Sequence, residues 1–153
     1  MPQLSIHSPI GDLTLSEEDG ALVSLDWGWS PAQKETPLLQ AARRQLDRYF
    51  GGEPEAFGLP LAPAGTEFHR RVWRELSRIP YGETRTYGDV ARALASGARA
   101  VGTACGRNPI PIIIPCHRVL GAGGALGGYS GDGGPETKQA LLNLENPDLF
   151  STQ

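Results

Sequence analysis

Cysteine is scarce in this chain of 153 residues: only Cys105 and Cys116 occur, too few for a disulfide scaffold. A reducing compartment is therefore the expected setting. Long apolar runs are also missing. The longest candidate, Pro109 to Pro115, holds four aliphatics, Ile110, Ile112, Ile113 and Ile114, far short of the roughly 18 residues that cross a bilayer. Met1-Pro2-Gln3 has no basic region followed by an apolar stretch, so no secretory signal is expected, no membrane is expected as a partner, and a cytoplasmic location is. No CxxC pair exists, and His7 and His69 stand far from Cys116 in sequence, which argues against a metal site. What is present is ordinary: 39% apolar and 20% charged residues. That excludes a wholly disordered chain, a coiled coil and a collagen-like fibre.

The net charge of −3 is unevenly spread. Residues 1–62 carry nine acids and four bases, residues 63–118 nine arginines and four acids with no lysine, and residues 119–153 four acids and one lysine. A basic centre thus sits between acidic flanks. Charge alone fits solvated helix faces equally well, but guanidinium forks suit phosphates and base edges better than ammonium groups do.

Hydrophobic spacing divides the chain into 1–62 and 63–153. In the first part, Leu4-Ser5-Ile6, Leu13-Thr14-Leu15 and Leu22-Val23-Ser24-Leu25 alternate with period two, separated by turns at Ser8–Asp12 and Glu18–Gly20. A helix with Leu39, Ala42, Leu46 and Phe50 on one face follows, stopped by Gly51-Gly52. A Pro/Gly-punctuated connector, Gly58 to Gly65, forms the boundary. The second part reads as helical. Thr66 can cap a helix carrying Phe68, Val72, Leu76 and Ile79. Thr86-x-x-Asp89 has capping-box spacing ahead of Tyr87, Val90, Ala91 and Leu94. After a break at Ser96-Gly97, a helix from Ala98 to about Arg107 buries Val101, Ala104 and Cys105. Two short helices around such a turn resemble a helix-turn-helix, although plain bundles contain the same pair.

The other face of that last helix holds Arg99, Gly102, Thr103 and Gly106. Interior glycine costs about 1 kcal/mol against alanine, so two on one side call for a reason. Close packing against another helix is one. Approach of a nearly bare backbone to something large, with Arg99 projecting, is the other; a minor groove with an extruded base has that shape.

The stretch Asn108-Pro109-Ile110-Pro111-Ile112-Ile113-Ile114-Pro115-Cys116-His117-Arg118-Val119 is stiffened by three prolines and cannot continue the preceding helix. It delivers Cys116 and His117 together. A thiol is nucleophilic only as thiolate, and a neighbouring imidazole can take its proton. In an extended segment the two side chains would point apart, so a bend or a bridging water is required. A lone Cys-His pair is more often a buried small hydrophobe beside a surface histidine.

This stretch resembles the active-site signature of the O6-alkylguanine-DNA alkyltransferases. Gly65-Thr66-x-Phe68, Val72-Trp73, Ile79-Pro80-Tyr81-Gly82, Thr86-Tyr87, Ala98-Arg99-Ala100-Val101-Gly102 and Gly128-Tyr129-Ser130-Gly131 follow that family's order. Pro9-Ile10-Gly11 and the Tyr49-Phe50-Gly51 region match it more loosely. The resemblance implies an α+β fold: a small N-terminal antiparallel sheet plus helix in the style of ribonuclease H, then a mostly helical C-terminal part with the helix-turn-helix. It implies single-turnover repair, in which an alkyl group leaves guanine O6 in double-stranded DNA for the protein's own cysteine, without a cofactor; thymine O4 is left open as a second source. Cys116 would be the acceptor, His117 the base acting through water, and Glu145 its orienting carboxylate; Lys138, Leu141, Leu142 and Glu145 share one helix face. Asn108 would tie the active-site turn to the second helix. Arg99 would fill the gap left by the flipped nucleotide, with Tyr87, Thr86, Gly102 and Thr103 also on DNA. Tyr129, Ser130, Pro111 and Val119 would form the base pocket. Zinc is not expected, because the N-terminal part lacks the cysteines that hold it in some relatives, and a monomer is expected. The Leu94–Arg99 connection is shorter, and Gly131–Pro135 longer, than the family pattern. Cys105 is expected to be structural. Rival readings are a non-catalytic lesion binder, a small-molecule thiol transferase or hydrolase, and a transcription factor.

Overall fold

A computed structural model describes residues 1–150. Strands β1 (Gln3–Ile6), β2 (Leu13–Glu18) and β3 (Ala21–Trp27) form an antiparallel sheet in that order. Leu4 and Ile6 stand opposite Leu15 and Leu13, so one face of the sheet is buried and apolar. Leu22 and Leu25 both join that face although three residues apart. The register shift between Ser16 and Glu17 makes Val23 an extra residue in β3, and the bulge restores the phase.

Helix α1 (Pro37–Phe50) starts at Thr36, whose hydroxyl accepts from the Leu39 N–H at 3.1 Å. Its buried stripe is Leu39, Ala42, Leu46 and Tyr49. The expected stripe ended on Phe50, but spacings of three and four carry it to Tyr49, and Phe50 packs at the margin. The connector is stitched to the sheet edge: Leu22 N–H donates to Pro60 O at 2.9 Å and Ala62 N–H to Leu22 O at 2.8 Å.

Helix α2 (Glu67–Leu76) is capped by the Thr66 hydroxyl and ends at Leu76; Ile79 lies beyond it and still reaches the core. Trp73 Nε1–H donates to Ala104 O at 2.9 Å, clamping α2 to α4 (Ala98–Gly106). Ahead of α4 come the two-residue strand β4 (Arg85–Thr86) and α3 (Tyr87–Ala93), with both bonds of the capping box formed by Thr86 and Asp89. In the α3–α4 turn the left-handed residue is Ala95 (φ 53°), just ahead of the expected break at Ser96-Gly97. After the Cys116–Arg118 3-10 turn, β5 (Val119–Leu120) pairs parallel with β4. Helices α5 (Pro135–Glu145) and α6 (Pro147–Phe150) close the described chain.

One hydrophobic cluster runs from Leu4 to Leu141, through sheet, helices and the isoleucine segment. No helix among the described residues is long and apolar enough to cross a membrane.

Candidate active site

The segment leading to Cys116 is folded tightly rather than extended. Ile113 N–H donates to Pro111 O at 2.9 Å across Ile112, whose φ of 74° is unusual for a β-branched residue. Cys116 N–H donates to Ile114 O at 2.8 Å across Pro115 (φ −82°, ψ 64°). Two successive γ-turns therefore aim the Cys116–Arg118 turn. Asn108 braces them: its amide donates to Ile114 O at 2.8 Å and its oxygen accepts from Ile110 N–H at 2.9 Å. The bend required between Cys116 and His117 is this 3-10 turn.

His117 is completely buried. Its Nε2 lies 2.6 Å from Glu145 Oε2, and Nδ1 has no hydrogen-bond partner among the described residues. Burial pulls its pKa down, against the hydrogen bond and charge of Glu145. The neutral ring thus donates Nε2–H to Glu145 and leaves a free lone pair at Nδ1, the arrangement of a general base. Glu145 also takes Arg118 Nε–H at 2.8 Å on Oε1, Arg118 Nη2–H at 3.1 Å on Oε2, and the Tyr49 hydroxyl at 2.6 Å on Oε2. Burial pushes its carboxyl up, but the bonds and charges of His117 and Arg118 bring it down to about 2. It is an anion at neutral pH.

Burial pushes the Cys116 thiol up, opposed by a hydrogen bond from Asn108 and by the charge of Lys138. At rest it keeps its proton and needs an acceptor to become a nucleophile. A cavity of about 330 Å³ opens beside it, lined by Tyr87, Gly102, Cys105, Gly106, Cys116, Gly128, Tyr129 and Ser130. Burial, then the two thiols, push the Tyr87 phenol up to about 12, so it stays a donor. The Tyr129 hydroxyl is buried without a partner among the described residues. Gly131 is obligatory behind it: a Cβ there would lie 2.4 Å from the Tyr129 ring and 2.8 Å from Trp27. Lys138, fully buried, donates to Val119 O at 2.7 Å and Gly128 O at 3.1 Å, tying the cavity loop to β5.

Of the expected site residues, Cys116, His117, Glu145 and Asn108 come together, and Tyr87, Gly102, Tyr129 and Ser130 meet at the cavity mouth. Pro111 and Val119 do not line this cavity. The first γ-turn diverts Pro111 to a neighbouring hollow shared with Asn108 and Ser130, and Val119 is locked into the core by its pairing with Arg85. Thr86 spends its hydroxyl on the α3 cap, and the Thr103 hydroxyl donates back to Arg99 O at 3.1 Å. Arg99 is exposed and has no ion-pair partner among the described residues. A Cβ on Gly102 or Gly106 would meet nothing within 4 Å, so close helix packing does not explain these glycines. Cys105 is buried as expected, yet it also walls the cavity; burial pushes its thiol up to about 12. Sequence reasoning missed Tyr49, Arg118 and Lys138. A tyrosine at a core position of α1 and a lysine on the buried face of α5 were the available signals. Among the described residues no group of three or more His, Cys, Asp or Glu could hold a metal.

A buried thiol, an adjoining buried base and a helix-turn-helix around one cavity define a cysteine-centred site. Residues 67–147 match the model of the 6-O-methylguanine DNA methyltransferase DNA-binding domain, and residues 4–63 that of the same family's ribonuclease-like domain. The chain is 46% identical over 152 residues to the constitutive methylated-DNA--protein-cysteine methyltransferase of Bacillus subtilis, covering 91% of this chain and 92% of that one. It is 49% identical over 150 residues to the methylated-DNA--protein-cysteine methyltransferase of Mycolicibacterium paratuberculosis, covering 92% and 90%. The crystal structure of Mycobacterium tuberculosis OGT in complex with DNA superposes with a TM-score of 0.86 at 46% identity, over 96% of this chain and 94% of that one. The chain belongs to the 6-O-methylguanine DNA methyltransferase family.

Proposed function

We infer that this protein repairs DNA by direct reversal, moving the alkyl group of an O6-alkylguanine in double-stranded DNA onto its own Cys116. One observation carries this assignment: Cys116 shares its cavity with the Tyr87 and Tyr129 phenols, while the adjoining His117 is held by Glu145 with Nδ1 free. The base leaves the stack because its reactive carbon is otherwise shielded. Arg99, alone among side chains longer than threonine on the glycine-lined face of α4, fills the gap; Gly102, Thr103 and the Thr86 end of α3 approach the backbone.

The Cys116 proton passes through water to His117 Nδ1, and Glu145 stabilises the resulting imidazolium. The sulfur attacks the sp³ carbon in line. A C–S bond forms, the C–O bond breaks, and its electron pair leaves on guanine. Tyr87 donates a hydrogen bond to that anion, and Ser130 faces the O6 side. The product is a thioether that nothing in the site can cleave: Cys105 keeps its proton at neutral pH. Each molecule therefore acts once. Residues 1–62 and 63–153 are assigned as a scaffold part and an alkyltransferase part, acting as a monomer in the cytoplasm. Unlike a lesion binder that lacks the acceptor, this chain has Cys116.

The test is a duplex with O6-methylguanine inside a restriction site that the lesion blocks. The wild-type chain restores cutting and Cys116→Ser binds without restoring it. Restoration by Cys116→Ser would reject Cys116 as acceptor.

A further inference from the structure

Three members of the buried stripe of α1, Leu39, Ala42 and Leu46, are apolar; the fourth, Tyr49, is fully buried yet carries a hydroxyl. Its ring is fixed by Phe50, Phe57 and Tyr81, with centroids at 5.3, 5.7 and 5.9 Å. A phenylalanine would keep those contacts, and a buried hydroxyl is costly unless it is bonded. Its partner lies 96 positions along the chain: Tyr49 Oη–H donates to Glu145 Oε2 at 2.6 Å. The same oxygen takes His117 Nε2–H, also at 2.6 Å.

We propose that Tyr49 is a positioning residue of the alkyl-transfer site: its hydroxyl fixes the Glu145 carboxylate that orients His117 and takes a share of that carboxylate's charge. Arg118 Nη2–H is a third donor to Oε2 at 3.1 Å; three donors on one oxygen divide its negative charge, so each holds its own proton more firmly against it. Without the phenol, Oε2 pulls harder on His117, and the ring keeps a second proton more readily at Nδ1, where it must instead accept one. The contribution crosses the chain, since Tyr49 lies in the segment matched by the ribonuclease-like model and Glu145 in the one matched by the DNA-binding model.

The charged and titratable surroundings are defined. Glu145 faces Tyr49 from α1, His117 and Arg118 from the 3-10 turn, and the Gly82 N–H at 3.3 Å from the turn before β4. Tyr81 packs nearby but spends its hydroxyl on Leu144 O and Gly52 O. On its other side His117 feels Arg118 and Lys138, both of which disfavour a second positive charge. Burial first, then the Glu145 charge, push the Tyr49 phenol well up, so it donates throughout the working pH range.

The proposal rests on Cys116 as acceptor, and its test separates the two. Full-length Tyr49→Phe keeps the ring and removes one oxygen. Single-turnover transfer from O6-methylguanine duplex is measured against pH, alongside duplex affinity. The acid limb moves up by about one pH unit, giving a loss of about tenfold there, with the high-pH plateau and the affinity unchanged. An unshifted limb, or one rate loss uniform in pH, overturns the role. The His117 imidazole nitrogen resonances supply a readout independent of transfer. Their midpoint rises in Tyr49→Phe, and an identical midpoint overturns the proposal. A wild-type chain that transfers nothing while its Tyr49→Phe midpoint still rises would sink the alkyl-transfer assignment alone.

Discussion

Replacing Arg118 by leucine breaks the buried Arg118–Glu145 ion pair, and its consequence can be worked out. The guanidinium gives two hydrogen bonds to Glu145, at 2.8 and 3.1 Å, and one to Ile79 O at 2.7 Å. In Arg118→Leu the Glu145 anion stays buried with the neutral donors Tyr49, His117 and Gly82, and Ile79 O loses its partner. Removing one member of a buried pair costs about 3–5 kcal/mol. At roughly 2–4 °C per kcal/mol for a chain of this size, Tm falls by roughly 6–20 °C near neutral pH. The pH dependence carries a sign. Glu145 drops from an ordinary 4.5 to about 2 on folding, so its stabilisation is complete above 4.5 and lost as pH falls towards 2. Without Arg118 that depression shrinks, so the variant loses less on acidification and the two melting curves converge. Circular-dichroism melts at about pH 7 and about pH 3 measure both effects. Arg118→Leu combined with Glu145→Leu recovers stability relative to the single change, because no uncompensated charge remains. A Tm loss under about 3 °C near neutral pH, or a loss equal at both pH values, would refute the reasoning.

Arg99→Ala lowers repair of a lesion far more than affinity for undamaged duplex, because losing the plug returns an unstacking cost of a few kcal/mol; equal losses in both assays would reduce Arg99 to a phosphate contact. Gly102→Ala, with nothing within 4 Å of the new Cβ, raises stability by up to about 1 kcal/mol while slowing repair, and a variant that is both stabler and fully active would remove the close approach of α4 to DNA. Duplex affinity falls with salt at a log–log slope no steeper than about −3.6, from about −0.9 per phosphate and the four arginines of residues 63–118 without an ion pair among the described residues (Arg70, Arg71, Arg99 and Arg107); a slope near zero would eliminate the duplex as partner.

Caps and strands were legible in the sequence because local rules govern them, while the buried stripe of α1 ends on Tyr49 and not on Phe50. Thr66 and Thr86 cap their helices because a hydroxyl three residues from an N–H needs no distant partner. Period-two alternation located the three strands, and even the bulge at Val23 left Leu22 and Leu25 within the expected run. The family resemblance names Cys116, His117 and Glu145, and the structure brings the three together, with His117 Nε2 at 2.6 Å from Glu145. What escaped depended on the rest of the chain. Nothing near Tyr49 announces a carboxylate 96 residues away. Prolines suggested an extended path before Cys116, whereas Ile112, buried with Ile110, Ile113 and Ile114, sits at a positive φ in a tight turn. The resemblance places Pro111 in the base pocket, whereas it lines the neighbouring hollow with Asn108 and Ser130.

Repair by this protein requires Cys116 to be a single-use acceptor. Incubating the protein with a large excess of O6-methylguanine duplex and recording its intact mass tests this directly. The mass should rise by one methylene equivalent and then stop, with peptide mapping placing the methyl on Cys116. Continued turnover beyond one equivalent, a methyl on any other residue, or an unchanged mass would contradict it.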